Sequence, residues 1–115
     1  MMIKIDAIVR EDKFEEVKDA LDKIDVHGVT AYQVMGYGQQ RGYKEVVRGM
    51  EVQVQMLPKI KFEIVVSDES WEKKVITAIQ KAAYTGEPGD GKIFCYELRH
   101  AMKIRTMEIN EEAIL

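Results

Sequence analysis

A strand followed by an amphipathic helix occurs twice in this sequence, and that repeat constrains the fold more than any other feature. Apolar side chains alternate along residues 2–10, which predicts a strand with one buried face. Residues 12–24 carry apolar side chains at helical spacing, and Asp12 with Glu15 resembles a capping box at the helix start. The buried faces of this first pair are predicted to comprise Ile3, Ile5, Ala7, Val9, Phe14, Val17, Leu21 and Ile24.

The second pair follows a strand predicted at residues 29–34, where β-branched and aromatic side chains are frequent. Pro58 marks a boundary between elements, and the alternating pattern of residues 60–66 predicts a strand after it. Ser67 is the predicted N-cap of the second helix, and residues 93–98 predict a final strand. The buried faces of this second pair are predicted to comprise Ile60, Phe62, Ile64, Val66, Trp71, Val75, Ala78, Ile79 and Ala82.

This order, β-α-β followed by a long loop and a second β-α-β, predicts an α+β, ferredoxin-like fold with both helices on one face of the sheet. The opposite face then has no covering element. Ile8, Val65, Tyr96 and either Phe94 or Cys95 would be exposed there. We therefore expect the chain to associate with copies of itself.

Three segments have a less regular sequence. Residues 35–49 contain four glycines among polar side chains and predict a long mobile loop, and residues 51–56 fit either an exposed strand or an extended limb of that loop. Lys103 and Arg105 would point the same way in an extended segment, either towards a ligand or, more commonly, into solvent. Residues 108–115 predict an acidic, loosely held tail.

Composition excludes several classes of protein. A chain of 115 residues is one domain, and its net charge of −3 argues against general nucleic-acid binding. The absence of a long apolar run and of a signal peptide predicts a soluble, cytoplasmic protein. Cys95 is the single cysteine and is predicted to be a buried, inert thiol, while His27 and His100 have no metal-ligand spacing.

Residues 85–92, Thr-Gly-Glu-Pro-Gly-Asp-Gly-Lys, predict an anion-binding turn. Glycines allow backbone N–H groups to converge on phosphate oxygens, and Lys92 can add a positive charge. Gly86 to Lys92 matches the start of a P-loop, but Ile93 replaces the Ser or Thr that binds magnesium. The turn also lies between a helix and a strand, which is the reverse of the P-loop order. The sequence therefore favours phosphate binding without a P-loop, although a plain structural turn is an equal alternative.

Several motifs together resemble the nitrogen-regulatory PII signalling proteins over nearly the whole chain. They are Lys4-Ile5-Asp6-Ala7-Ile8, Gly36-Tyr37-Gly38-Gln39-Gln40-Arg41-Gly42, Arg48-Gly49-Met50-Glu51, Leu57-Pro58-Lys59-Ile60-Lys61, the turn 85–92 and Ile104-Arg105-Thr106. The resemblance implies a single domain over residues 1–115 and a homotrimer of ferredoxin-like subunits. It also implies ATP or ADP in clefts between subunits, with Mg²⁺ and 2-oxoglutarate as further effector ligands.

The resemblance also implies roles for individual segments and residues. It makes residues 37–55, approximately, a partner-binding T-loop, with Arg48 as the main partner contact, and it makes residues 85–92 the phosphate-binding B-loop and 101–115 the carboxyl-terminal segment. Gln40, Lys59 and Gly89 match positions at 2-oxoglutarate, and Gln40 also matches the Mg²⁺ contact. The matched nucleotide positions are Ile8, Thr30, Gly38, Gln40, Glu63, Val65, Thr85, Gly89, Asp90, Gly91, Lys92, Lys103 and Arg105.

The sequence departs from the family pattern at positions that bear on regulation. Val52 stands where uridylylated bacterial members carry a tyrosine, and Met50 stands at the cyanobacterial phosphoserine position. Lys103 replaces a usual arginine, which keeps the charge but loses the two-pronged geometry of a guanidinium. We therefore expect regulation without covalent modification at these sites.

Two other functions are alternatives to a regulator controlled by nucleotide and 2-oxoglutarate. A small ferredoxin-like enzyme would need an acid–base pair or an activated nucleophile, which no residue spacing indicates. A PII-like module without 2-oxoglutarate sensing is the other, and the presence of Gln40 and Lys59 weighs against it. The predicted partners are an ammonium channel, glutamine synthetase or a nitrogenase-related protein, with membrane contact only through a channel.

Overall fold

A computed structural model describes residues 1–36 and 56–115 in full, together with the backbone of Lys44–Val47 and Met50–Gln53. Its strands are β1 (Ile3–Arg10), β2 (Val29–Gly36), β3 (Lys44–Val47), β4 (Met50–Gln53), β5 (Leu57–Val66) and β6 (Gly91–Glu97). Its α-helices are α1 (Phe14–Lys23) and α2 (Glu69–Ala83), and short 3-10 helices occupy Glu11–Lys13 and Asn110–Ile114. Neither α-helix in these ranges is long and apolar enough to cross a membrane.

Four strands form one antiparallel sheet in the order β2-β5-β1-β6. This order and the two helices confirm the predicted ferredoxin-like fold. The remaining strands, β3 and β4, pair with each other as a separate antiparallel hairpin. The alternating residues 51–56 therefore contribute a strand at Met50–Gln53, and the sequence did not predict its partner at Lys44–Val47.

The core lies between one face of the sheet and the two helices. The alternating apolar residues of β1 and β5 are almost fully buried there, with Ile5 and Ala7 at 0% exposure and Phe62 at 1%. Val17 and Leu21 of α1 and Val75 and Ile79 of α2 complete this cluster. The face of the sheet away from the helices is called the open face. Because each buried strand residue alternates with one on the other side, the same pattern determines which side chains lie on the open face.

Both helix starts differ from the predictions. Asp12 lies inside the 3-10 helix Glu11–Lys13, and α1 begins without a side-chain cap, so the predicted capping box is wrong. The cap of α2 is Asp68 rather than Ser67, because the Asp68 carboxylate accepts a hydrogen bond of 3.0 Å from the Trp71 backbone N–H. A carboxylate also interacts favourably with the positive end of the helix dipole.

The strand predicted at residues 60–66 begins earlier, at Leu57. Pro58 therefore lies inside β5, opposite Met35 of β2. The pairing of β5 with β1 ends at Arg10 and Lys59, so one edge of β5 has no strand partner at Pro58. A residue without an N–H is tolerated at such a position.

The open face of the sheet carries the exposed aromatic side chains that the sequence predicted. Phe94 is 51% exposed and Tyr96 is 46% exposed, and both lie on this face with Ile8 and Val65. Cys95 lies on the helix face of β6 but is exposed, so the prediction of a buried thiol is wrong. The physical reason is that β6 is an edge strand, whose residues are covered on fewer sides.

Candidate functional site

The glycine turn depends on backbone conformations that favour glycine. Gly86, Gly89 and Gly91 all have positive φ angles, of 90°, 96° and 114°. At Gly91 a Cβ atom would lie 1.8 Å from the Ile8 carbonyl oxygen, so a side chain has no space there. The turn connects α2 to β6, and where it enters β6 the backbone of Gly91 approaches β1 so closely that only glycine fits.

Asp90 closes the turn from inside. Its Oδ2 accepts hydrogen bonds from the backbone N–H groups of Thr85 at 2.8 Å and Gly86 at 2.9 Å, and its Oδ1 accepts one from the Thr85 hydroxyl. These bonds, together with the Arg10 guanidinium, hold the pKa of the Asp90 carboxyl far below its usual range. Asp90 is consequently ionised and is engaged within the turn itself.

Two cations fasten the turn to the end of the sheet. Arg10 donates from Nε to Asp90 Oδ1 at 3.0 Å and from a terminal nitrogen to the Pro88 carbonyl at 2.8 Å. Lys59 donates from Nζ to the Gly89 carbonyl at 2.8 Å. Burial and the nearby Arg10 charge lower the pKa of the Lys59 ammonium. The turn is therefore held in one shape by charged hydrogen bonds.

Lys92 is the last residue of this turn and the second residue of β6, where it pairs with Ile8 of β1. Its side chain is exposed and lies on the open face of the sheet. The ammonium group can therefore meet a ligand that approaches the turn from that face.

A second candidate region is a groove of about 730 Å³ at the far end of β5, within the usual size range of small-molecule sites. Thr30, Glu63 and Val65 line it, together with the carboxyl-terminal residues 113–115. Glu63 Oε1 accepts a hydrogen bond of 2.8 Å from the Tyr32 hydroxyl. That bond and the nearby Lys4 and Lys61 ammonium groups lower the pKa of Glu63, so the groove contains an ionised carboxylate.

Lys103 and Arg105 are not in an extended segment, so the prediction that they share one face of a strand is wrong. Residues 104–106 form a turn, closed by a 2.8 Å hydrogen bond from the Met107 N–H to the Lys103 carbonyl. Lys103 forms an ion pair of 3.8 Å with Glu108. The tail is also better held than predicted, since Ala113 and Ile114 are partly buried.

The structure places nine of the predicted nucleotide positions in two groups, while Lys103 and Arg105 lie in the separate turn at 103–107 and belong to neither. Ile8, Thr85, Gly89, Asp90, Gly91 and Lys92 lie at the turn, together with Lys59, whereas Thr30, Glu63 and Val65 lie along the groove. Lys59 and Val65 are six residues apart on β5, which corresponds to about 20 Å. Gly38, Gln40 and Arg48 lie outside the described residues.

Arg10 is a site residue that the sequence did not predict. It is 80 positions from Asp90 in the chain, and neither the strand pattern nor the glycine turn shows by itself that they meet. The only indication in the sequence was the alternation of the first strand, which places residue 10 on the same face as Ile8 and so near the turn.

The described residues do not show the groups of a metal or nucleophile site. No three His, Cys, Asp or Glu side chains converge as metal ligands in the described part of the chain. Although Cys95 is exposed as a residue, neighbouring atoms remove part of the hydration of its thiol. This desolvation and the nearby Glu72 carboxylate raise the pKa of Cys95 to about 11, which leaves it protonated near neutral pH.

Comparison with known proteins gives a consistent result. The family described as "P-II: Nitrogen regulatory protein P-II" matches residues 2–108. "Nitrogen regulatory protein P-II 1" of Methanothermobacter thermautotrophicus is 48% identical over 98% of this chain and 97% of its own length. "Nitrogen regulatory protein GlnK" of Escherichia coli K12 is 42% identical over 96% of this chain and 97% of its own.

Solved structures agree with these relatives. The crystal structure of Arabidopsis thaliana PII bound to citrate has a TM-score of 0.78 and 36% identity, covering 97% of this chain and 91% of that one. The B. subtilis GlnK structure also has a TM-score of 0.78, with 34% identity and 97% coverage of both chains. The chain therefore belongs to the nitrogen regulatory protein P-II family, whose members are signalling proteins and not enzymes.

Proposed function

We propose that this chain is a homotrimeric nitrogen-regulatory protein that binds ATP or ADP, and 2-oxoglutarate with Mg²⁺, and that it controls a partner through the loop at residues 37–55. The observation that carries the nucleotide part is the turn at 85–92. Arg10, Asp90 and Lys59 fix its shape, while Lys92 is left exposed beside it. A preorganised turn that ends in an exposed cation is suited to phosphate oxygens.

The separation of the two groups of residues favours a site shared by two copies of the chain. Along β5, the groove residues Glu63 and Val65 lie about 13 Å and about 20 Å from Lys59, which holds the turn. In the proposed trimer, phosphates bind at the turn of one copy and the base binds in the groove of its neighbour. The exposed aromatic side chains of the open face, Phe94 and Tyr96, supply apolar surface for this association.

The effector part of the proposal concerns Lys59 and Gly89. Lys59 is only 8% exposed and donates a hydrogen bond to the Gly89 carbonyl. An effector carboxylate that binds Lys59 therefore also alters the hydrogen bond that fixes the turn. This contact would couple 2-oxoglutarate to the nucleotide phosphates. The citrate bound to the Arabidopsis protein is a carboxylate as well, which supports an effector of this class.

Magnesium fits this arrangement as an ion held mainly by phosphate oxygens. Asp90 is already engaged by Thr85, Gly86 and Arg10, and the described residues provide no cage of carboxylates. Mg²⁺ commonly binds one or two protein groups and completes its shell with phosphates and water. Gln40 remains our proposed protein ligand.

The partner would be a protein of nitrogen metabolism in the cytoplasm or at its membrane, namely an ammonium channel, glutamine synthetase or a nitrogenase-related protein. Arg48 is the proposed contact, because an arginine fork suits carbonyl and carboxylate acceptors at an interface.

Calorimetric titration with ATP and with ADP, together with sedimentation at micromolar concentration, tests the proposal. We expect one nucleotide site per chain and a trimeric mass. A monomeric protein, or a trimer without measurable affinity for either nucleotide, would contradict it.

A further inference from the structure

The carboxyl-terminal residues form one wall of the groove that also contains Thr30, Glu63 and Val65. Ala113 and Ile114 are partly buried, although they follow a segment whose side chains at Ile104 and Met107 are 94% and 70% exposed. The chain thus returns to the body of the protein after an exposed turn. Its last residues line the same groove as side chains of the sheet.

The path of this segment is set by hydrogen bonds near its base. The Asn110 N–H donates to the Ala101 carbonyl at 2.8 Å, and the Ala101 N–H donates to Asn110 Oδ1 at 3.3 Å. Met102 and Ile109 form a single antiparallel bridge between these points. Asn110 has a φ of 56°, a conformation that asparagine tolerates, and the 3-10 helix Asn110–Ile114 begins there.

The two walls of the groove differ in chemistry. The sheet side offers the Thr30 hydroxyl and the Glu63 carboxylate, which can accept hydrogen bonds from the amino group of a heteroaromatic base. The side formed by Ala113, Ile114 and Leu115 is aliphatic. Such a lining can serve a flat base, because polar groups of the sheet can bond its edge and aliphatic side chains can cover its face. Residues 25–28 and Trp71 also line the groove.

We propose that residues 113–115 are a further determinant of nucleotide binding, because they cover the base in this groove. The proposal rests on the nucleotide binding proposed above and adds a segment outside the residues matched to the family's ligands. It also predicts a selective effect. Loss of the aliphatic wall weakens binding of the base and leaves binding of the phosphates at the distant turn unchanged.

The experiment uses ATP and inorganic tripolyphosphate as calorimetric ligands, since the second has no base. Two variants are compared with the unmodified chain: one that ends after Glu112, and the full chain with Ile114→Ala. Met107→Ala is the matched control, because Met107 is in the same segment and is exposed but is not among the residues lining the groove. Thermal unfolding and sedimentation verify that each variant is folded and assembled.

We expect the shortened chain to bind ATP about tenfold more weakly, equivalent to about 1.4 kcal/mol, with a smaller loss in Ile114→Ala. Tripolyphosphate affinity should stay within about twofold in both, and Met107→Ala should match the unmodified chain. If the shortened and Ile114→Ala variants bind ATP normally, or lose ATP and tripolyphosphate affinity equally, the inference is overturned while nucleotide binding stands. If the unmodified chain binds no nucleotide, the proposed function fails and this inference fails with it.

Discussion

Gly91→Ala is the substitution whose effect the structure predicts most directly. The new Cβ would lie 1.8 Å from the Ile8 carbonyl oxygen and 2.9 Å from its carbonyl carbon. Both contacts are with backbone, so no side chain can rotate away to relieve them. The φ angle of 114° is also one that alanine adopts only with strain.

The expected cost combines two effects. A non-glycine residue held at such a φ angle costs about 1 to 3 kcal/mol. Moving Gly91 away from Ile8 also separates the first residues of β6 from β1, and each lost hydrogen bond of the ladder costs about 0.5 to 1.5 kcal/mol. We therefore expect the free energy of unfolding to fall by about 3 kcal/mol, which corresponds to a decrease in Tm on the order of 10 °C.

Gly28→Ala is the matched control. A Cβ added at Gly28 would have no heavy atom within 4 Å, and this glycine has no left-handed φ angle, so alanine is accommodated there. We expect the Tm of this variant to remain within about 2 °C of the unmodified protein. Thermal unfolding by circular dichroism at one fixed protein concentration measures both variants. Equal Tm values for the two would refute the close approach of Gly91 to Ile8.

Four further predictions concern the turn and the partner loop. Lys92→Ala should weaken ATP binding by about 1.5 to 3 kcal/mol in calorimetry without dissociating the trimer, and Lys73→Ala, on the exposed side of α2, should not. Asp90→Asn should lower the Tm at pH 7. Because the folded-state pKa of Asp90 is depressed, this difference should persist above its ordinary value of 3.8 and shrink as pH falls below it, and equal pH profiles would contradict the ion pair. Arg48→Ala should reduce capture of the partner from native extract, while intact-mass analysis should find no uridylyl group, since Val52 has no hydroxyl.

The sequence predicted the fold well where burial alone decides the structure. Alternation in β1 and β5 identified the buried face correctly, because a sheet covered on one side forces every second residue into the core. Helix starts were predicted less well, since Ser67 and Asp68 are both good caps and only the geometry at the Trp71 N–H distinguishes them. The strand Lys44–Val47 was missed because the glycines and polar residues around it are typical of loops.

The candidate site was predictable only in part. The turn at residues 85–92 is predictable, because its glycines and proline determine the backbone conformation of the residues next to them. The ion pair between Arg10 and Asp90 depends on the register of β1 beside β6, and no local pattern reports it. The bent segment around Lys103 and Arg105 was predicted as extended, because a pair of cations two residues apart resembles one face of a strand.

The binding of 2-oxoglutarate with and without MgATP tests the proposed regulation most directly. A dicarboxylate that approaches bound phosphates needs the metal ion to offset the like charges, so binding of the two ligands should be coupled. In calorimetry of the unmodified chain, we expect measurable 2-oxoglutarate binding with MgATP and none with the nucleotide-free protein. Equal affinity in both conditions, or no binding in either, would contradict the account.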